Sequence, residues 1–180
     1  MMLSCCHPVG GEVTPYHIEA AIAGVPAAAP SAGETDRGAI VRLYDALLML
    51  RPSPVVALHR AIALGQQQGP ERGLEAMAAI EGSERLEQYP FYAAARGEME
   101  LARGRADRAR EPFRQALSLA RNPTERRALK KRLAACGDDR TGGATDQTRS
   151  RSRRAHLLEM EVSAGRWPHE EGGRSAGGLI

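Results

Sequence analysis

The chain has 180 residues, 25 of them basic and 22 acidic, with 42% apolar and only seven aromatic side chains. That is enough for one modest domain with tails and too little for a multidomain machine. No stretch approaches the roughly 18 consecutive apolar residues of a membrane helix. Met1 to Gly11 lacks the basic start and apolar run of a secretory signal, so a cytoplasmic protein without membrane contact is expected. Three cysteines, Cys5, Cys6 and Cys136, make no disulfide framework. The net charge of +3 is uneven. Residues 1–120 hold 12 arginines against 14 acids, residues 121–154 hold 11 cations against four acids, and the last 26 residues hold two arginines against four glutamates. The basic character therefore belongs to one segment, which removes any global argument for nucleic acid.

In chain order, proline marks helix starts at Thr14-Pro15, Ser53-Pro54, Gly69-Pro70, Tyr89-Pro90 and Asn122-Pro123. It suits the first helical position because its missing amide hydrogen has no intrahelical partner there and its φ is already helical. Ser31 with Glu34, and Asn122 with Glu125, have capping-box spacing. Between Asp36 and Arg51, Ile40, Leu43, Tyr44, Leu47 and Leu50 recur at steps of three and four, one stripe along a helix. The signals predict helices near 15–28, 35–51, 54–67, 70–80, 90–103, 105–121 and 123–135, with short links that make neighbours antiparallel. Pro112 falls inside the sixth, where an interior proline costs about 3 kcal/mol, so a bend or weakening near Glu111 is expected.

Four small or apolar positions recur with spacings of 34 and then 36 residues: Ala27, Ala61 and Gly97; Ala39, Gly73 and Ala109; Leu43, Met77 and Phe113; Ala46, Ile80 and Ala116. The third unit is close to the tetratricopeptide pattern, in which small residues let paired helices approach and one aromatic fills the gap. The first two units are degenerate. The expected fold is all-α, with antiparallel helix hairpins stacked as a short tetratricopeptide-like solenoid over 14–136. A disordered leader over 1–13 and a mostly disordered basic, Gly-rich tail over 137–180 complete the expected organisation.

Motifs for chemistry are missing. Cys5-Cys6-His7 lacks the two-to-four-residue separation and the second ligand pair of a structural zinc site. The Gly-Gly pairs follow no strand, so no phosphate loop is formed. Glu98 and Glu100 stand two apart on a helix and point to different faces, which defeats a paired acid/base role. His59, on a helix, reads as a partly exposed polar residue. No enzyme, metal or cofactor is expected. The run Arg126, Arg127, Lys130, Lys131, Arg132, continued by Arg149, Arg151, Arg153 and Arg154, reads first as a solvated capping-helix face with a basic tail. The alternative is nucleic-acid contact by Arg127, Lys130, Lys131, Arg151, Arg153 and Arg154, though no aromatic stands there to stack on bases.

Three segments carry a resemblance: Thr14-Pro15-Tyr16-His17-Ile18-Glu19-Ala20-Ala21-Ile22-Ala23, then Thr35-Asp36 with Leu43-Tyr44-Asp45, then Pro52-Ser53-Pro54-Val55-Val56-Ala57-Leu58-His59-Arg60-Ala61. Over roughly residues 14–135 the chain resembles the C-terminal tetratricopeptide-like extension of extracytoplasmic-function RNA polymerase sigma factors. Departures fall at Pro26, Arg37 and His59, where that family commonly has His, Trp and Asn. Cys5-Cys6-His7-Pro8 is similar to a tetrapeptide the family carries far upstream, between its two sigma regions; the core-binding helices and the promoter-reading helix-turn-helix are absent here. The resemblance implies a regulatory extension, a role in transcription initiation, and RNA polymerase or sigma regions as partners. Tetratricopeptide registry places a partner groove at Val55, Leu58, His59, Ile62, Phe91, Glu98 and Leu101, with inter-repeat core as the competing role for each. A stand-alone adaptor unrelated to transcription, or a truncated or frameshifted remnant, are the other expectations.

Overall fold

The computed structural model describes residues 13–31 and 33–137; every regular element among them is helical, and no strand occurs. The helices are α1 (Pro15–Ala28), α2 (Arg37–Leu50), α3 (Pro54–Gln68), α4 (Pro70–Ala78), α5 (Pro90–Ala102), α6 (Ala106–Leu119) and α7 (Pro123–Ala135). All seven coincide with predicted helices to within three residues, and five open on the expected proline. A short 3-10 helix, Ser83–Leu86, was not foreseen; Gly82 enters it at φ 73°, a left-handed conformation that a side chain disfavours. Leu86 within it is 2% exposed and joins the core beside α3. The expected leader and tail lie outside the described residues except at Val13 and Gly137.

One local expectation is corrected, and the helix containing Pro112 proves continuous. Ser31 and Glu34 do bond side chain to side chain at 2.8 Å, but they sit in the loop, and the cap of α2 is Asp36, whose carboxylate accepts from the Ala39 amide at 2.9 Å. The α6 helix runs unbroken through Pro112, which is buried.

Each helix packs on the next in sequence from α1 to α7. The core is accordingly divided into three clusters in series. The first joins α1, α2 and α3 around Ile18, Ile40, Tyr44, Leu47 and Val56. The second joins α3, α4 and α5 around Leu58, Ile62, Met77, Leu86 and Met99. The third joins α5, α6 and α7 around Leu101, Phe113, Ala116 and Leu129. Helices α3 and α5 serve two clusters each, with opposite faces, which accounts for their apolar residues all round.

The recurrent positions behave differently along the chain. Ala61 and Gly97, Gly73 and Ala109, Met77 and Phe113, and Ile80 and Ala116 are all buried. Ala27 and Ala46 are exposed and Ala39 and Leu43 half-buried. A Cβ on Gly97 would stand 2.8 Å from the Phe113 ring, so the absence of a side chain on α5 is what admits the aromatic of α6. On the preceding pair, a Cβ on Gly73 of α4 would stand 2.8 Å from the Gly65 Cα of α3.

Candidate docking surfaces

The residues assigned to a groove fall largely in the interior. Leu58, His59, Ile62, Glu98 and Leu101 are buried, Glu98 at 3% exposure, and cannot meet a partner in this conformation. The physical reason is that α3 and α5 are covered on both sides, so positions that line an open face in a looser stack here fill the space between helices. Val55 and Phe91 remain half-buried. Phe91 stacks on Tyr89 with ring centroids 5.2 Å apart.

Two of the buried polar groups have explicit roles. The Arg132 guanidinium of α7 donates from Nε to Glu98 Oε1 of α5 at 2.6 Å, so Glu98 is a structural ion-pair residue. Glu100 pairs instead with Arg103 at 3.6 Å, confirming that the two acids face apart. His59, expected to be partly exposed, is 7% exposed and lies beside Tyr44, ring centroids 6.1 Å apart. Burial pushes its pKa down to about 4, because the imidazolium cannot be hydrated there. It is neutral at physiological pH.

The surface holds two contrasting ends. At the first, Val13, Tyr16, Met49 and Leu50 are the exposed large apolar side chains among the described residues, with Met49 at 85%. The Glu19–Arg51 ion pair, 3.8 Å, ties the start of α1 to the end of α2 and so gathers these four at one end of the hairpin. Leu50 was expected in the stripe; at the last position of α2 it is exposed instead. The outward side of α1 continues this surface with Ala20, Ala23, Gly24 and Ala27, all exposed. Glu19 is the lone acid of α1, which has no lysine or arginine.

At the opposite end, α7 divides its cations by direction. Arg126 donates to the Leu117 and Ala120 carbonyls at 2.8 and 3.0 Å, closing the C-terminus of α6. Arg110 of α6 in turn donates to the Cys136 carbonyl at 3.2 and 2.7 Å. Arg127, Lys130 and Lys131 are exposed. Arg151, Arg153 and Arg154 lie outside the described residues. Among the described residues no group of three His, Cys, Asp or Glu side chains is placed to hold a metal ion, and no helix is long and apolar enough to cross a membrane.

The apolar end was missed because the run containing Tyr16 carries a family resemblance that says nothing of exposure, and Met49 belongs to no motif. Their signal was available: Met49 falls off the Ile40–Leu47 stripe, and α1 carries almost no charge on any face.

Over 119 residues the chain is 41% identical to an uncharacterized protein of Rhizobium meliloti (strain 1021), a match covering 66% of this chain and 28% of the relative. The chain thus spans little more than a quarter of the relative's length. No protein-family model matches the chain, and no solved structure does.

Proposed function

We propose that this chain is a non-enzymatic protein-interaction module, a short tetratricopeptide-like stack of helical hairpins that docks on sigma regions or RNA polymerase and acts in regulating transcription initiation. The stack reading draws support from the serial core and from the buried equivalents Ala61 and Gly97, Gly73 and Ala109, Met77 and Phe113. The transcriptional reading draws on the resemblance of residues 14–135 to the extension of extracytoplasmic-function sigma factors, whose sigma regions precede it. A cytoplasmic location accords with it.

One observation carries the docking: Tyr16, Met49 and Leu50 stand in water at one end of the molecule while the large apolar residues of α3 to α7 are covered. Contiguous exposed apolar surface of this kind is characteristic of an interface, and Tyr is a frequent anchor in one. Helical arrays also need a polar outer face at a free end; α7 has one and α1 does not. In the related protein the matched stretch makes up 28% of the chain, so most of that protein lies outside it.

The test is capture of purified RNA polymerase, and separately of extracytoplasmic-function sigma regions, on the immobilised full chain. The expected result is retention by the native chain and loss of at least tenfold in affinity with Tyr16→Asp plus Met49→Asp. Both sites are exposed, so the thermal melt should be unchanged. No retention of either partner sinks the transcriptional reading; retention indifferent to the two substitutions sinks the docking end.

A further inference from the structure

The five cations between Arg126 and Arg132 form a single run in sequence, yet the structure gives them two employments. Arg126 and Arg132 turn inward and are used up on the Leu117 and Ala120 carbonyls and on Glu98. Arg127, Lys130 and Lys131 stand at i, i+3 and i+4, which is one side of a helix, and all three are exposed. None of them forms an ion pair among the described residues. The single acid of α7, Glu125, lies in its first turn, near enough to Tyr89 that its charge adds to burial in raising that phenol's pKa. Arg121, just before the helix, is exposed as well.

We propose that this outer face of α7 binds the phosphate backbone of double-stranded DNA without reading its sequence. Three features select that occupant. A folded acidic protein surface would need an apolar or aromatic anchor beside the charges, and among the described residues the exposed large apolar side chains all lie at the other end. A single strand would need aromatic side chains to stack its bases, and α7 has none. A duplex-RNA-binding domain of the usual kind spreads its contacts over about 16 base pairs, a span that one helix of 13 residues, about 20 Å long, does not offer. Duplex DNA needs only mobile cations, because it presents a charge about every 1.7 Å of its axis. This proposal is independent of what docks at the α1 end, and its test contains no protein partner.

The experiment is fluorescence anisotropy of a labelled 20-base-pair duplex of arbitrary sequence with the full chain, titrated between about 50 and 200 mM salt. Binding is expected, with affinity falling steeply with salt. The triple variant Arg127→Ala, Lys130→Ala, Lys131→Ala should bind at least tenfold more weakly and lower the log–log salt slope by about 2.7, at roughly 0.9 per phosphate contact. A control that removes three exposed, unpaired arginines elsewhere, Arg85→Ala, Arg96→Ala, Arg108→Ala, should keep most of the affinity. Unchanged melts for both variants show that each is folded. The proposal is overturned if the α7 variant binds like the native chain, which would put binding on Arg151, Arg153 and Arg154, or if both variants lose equally, which would make net charge the cause. It is overturned also if a duplex RNA of the same length binds more tightly, or if polyglutamate binds and the DNA duplex does not.

Discussion

Gly24 in α1 and Gly97 in α5 are both interior glycines of the first helix of a hairpin, and their surroundings are opposite. A Cβ on Gly97 would collide with the Phe113 ring, while a Cβ on Gly24 would meet nothing within 4 Å. The α5/α6 hairpin is close-fitted: a missing side chain on one helix receives a fully buried aromatic from the other. The α1/α2 hairpin is held differently, by Ile18, Ile40, Tyr44 and Leu47 on its inner side, and leaves its outer side charge-poor and uncovered. The difference teaches that recurrence of a small residue in sequence marks close helix approach only where a partner side chain or backbone occupies the vacated space. At Ala27 and Ala46 nothing does, and both are exposed.

The largest test of that contrast replaces the equivalent residues Phe113 and Leu43. Phe113→Ala should cost about 3–5 kcal/mol in urea unfolding, since it empties a fully enclosed site. Leu43→Ala, at a half-buried position, should cost under about 2 kcal/mol. Equal losses would break the comparison.

Acidification probes the junction of the first hairpin with α3, where His59 lies beside Tyr44 of α2. Its folded pKa, about 4, is below the unfolded value near 6.5. Between those values the unfolded chain binds the extra proton, so the stabilisation is complete above about pH 6.5 and is lost as pH falls toward 4. The loss amounts to about 3 kcal/mol. His59→Asn should flatten that part of the stability–pH curve relative to the native chain, and a curve with the same slope would refute the assignment. In hydrogen exchange at pH 5, amides of α2 should lose protection before those of α6.

Smaller and of opposite sign are two glycine substitutions. Gly97→Ala should destabilise by about 1–3 kcal/mol, through overpacking against Phe113. Gly24→Ala should stabilise by about 0.5–1 kcal/mol, because it adds helix propensity at an open position. Thermal melts decide both, and the same sign for the two would remove the basis for treating the hairpins as different.

Much of the architecture was legible because proline and periodicity are local signals: Pro15, Pro54, Pro70, Pro90 and Pro123 each open a helix. One miss is local, the cap of α2, which is Asp36 and not Ser31; the others are long-range. Whether Leu58 and Ile62 face a groove or a neighbouring helix depends on how closely α5 approaches α3, which no pattern within α3 reports. His59 is ambiguous to hydropathy, and its burial is set by Tyr44 and Leu58's surroundings. Pro112 defies a local rule because α6 is supported along its length by α5 and α7. The division of the basic run was readable in principle: Leu129 and Leu133 mark the inner side of α7, and Arg126 and Arg132 lie three residues from Leu129 on that side. The apolar end was only partly legible: the charge-poor α1 and the place of Met49 off the stripe hint at it, but neither says that Tyr16 and Met49 are left uncovered at the same end.

The meeting of Gly65 and Gly73 constrains how this chain can change over generations. A Cβ on Gly73 would come within 2.8 Å of the opposing backbone and of the Met99 sulfur as well, and the Gly65 position is nearly as tight, at 3.1 Å from the Met99 methyl. Trimming Met99 would free only one wall; the other is main chain and can yield only if α3 and α4 separate, disturbing Leu58, Ile62 and Met77 together. Gly73 is therefore the more constrained of the two: a Cβ on Gly65 needs only a few tenths of an ångström of give from its neighbours, whereas one on Gly73 needs the helices to part, so descendants that keep this hairpin should hold Gly73 longest.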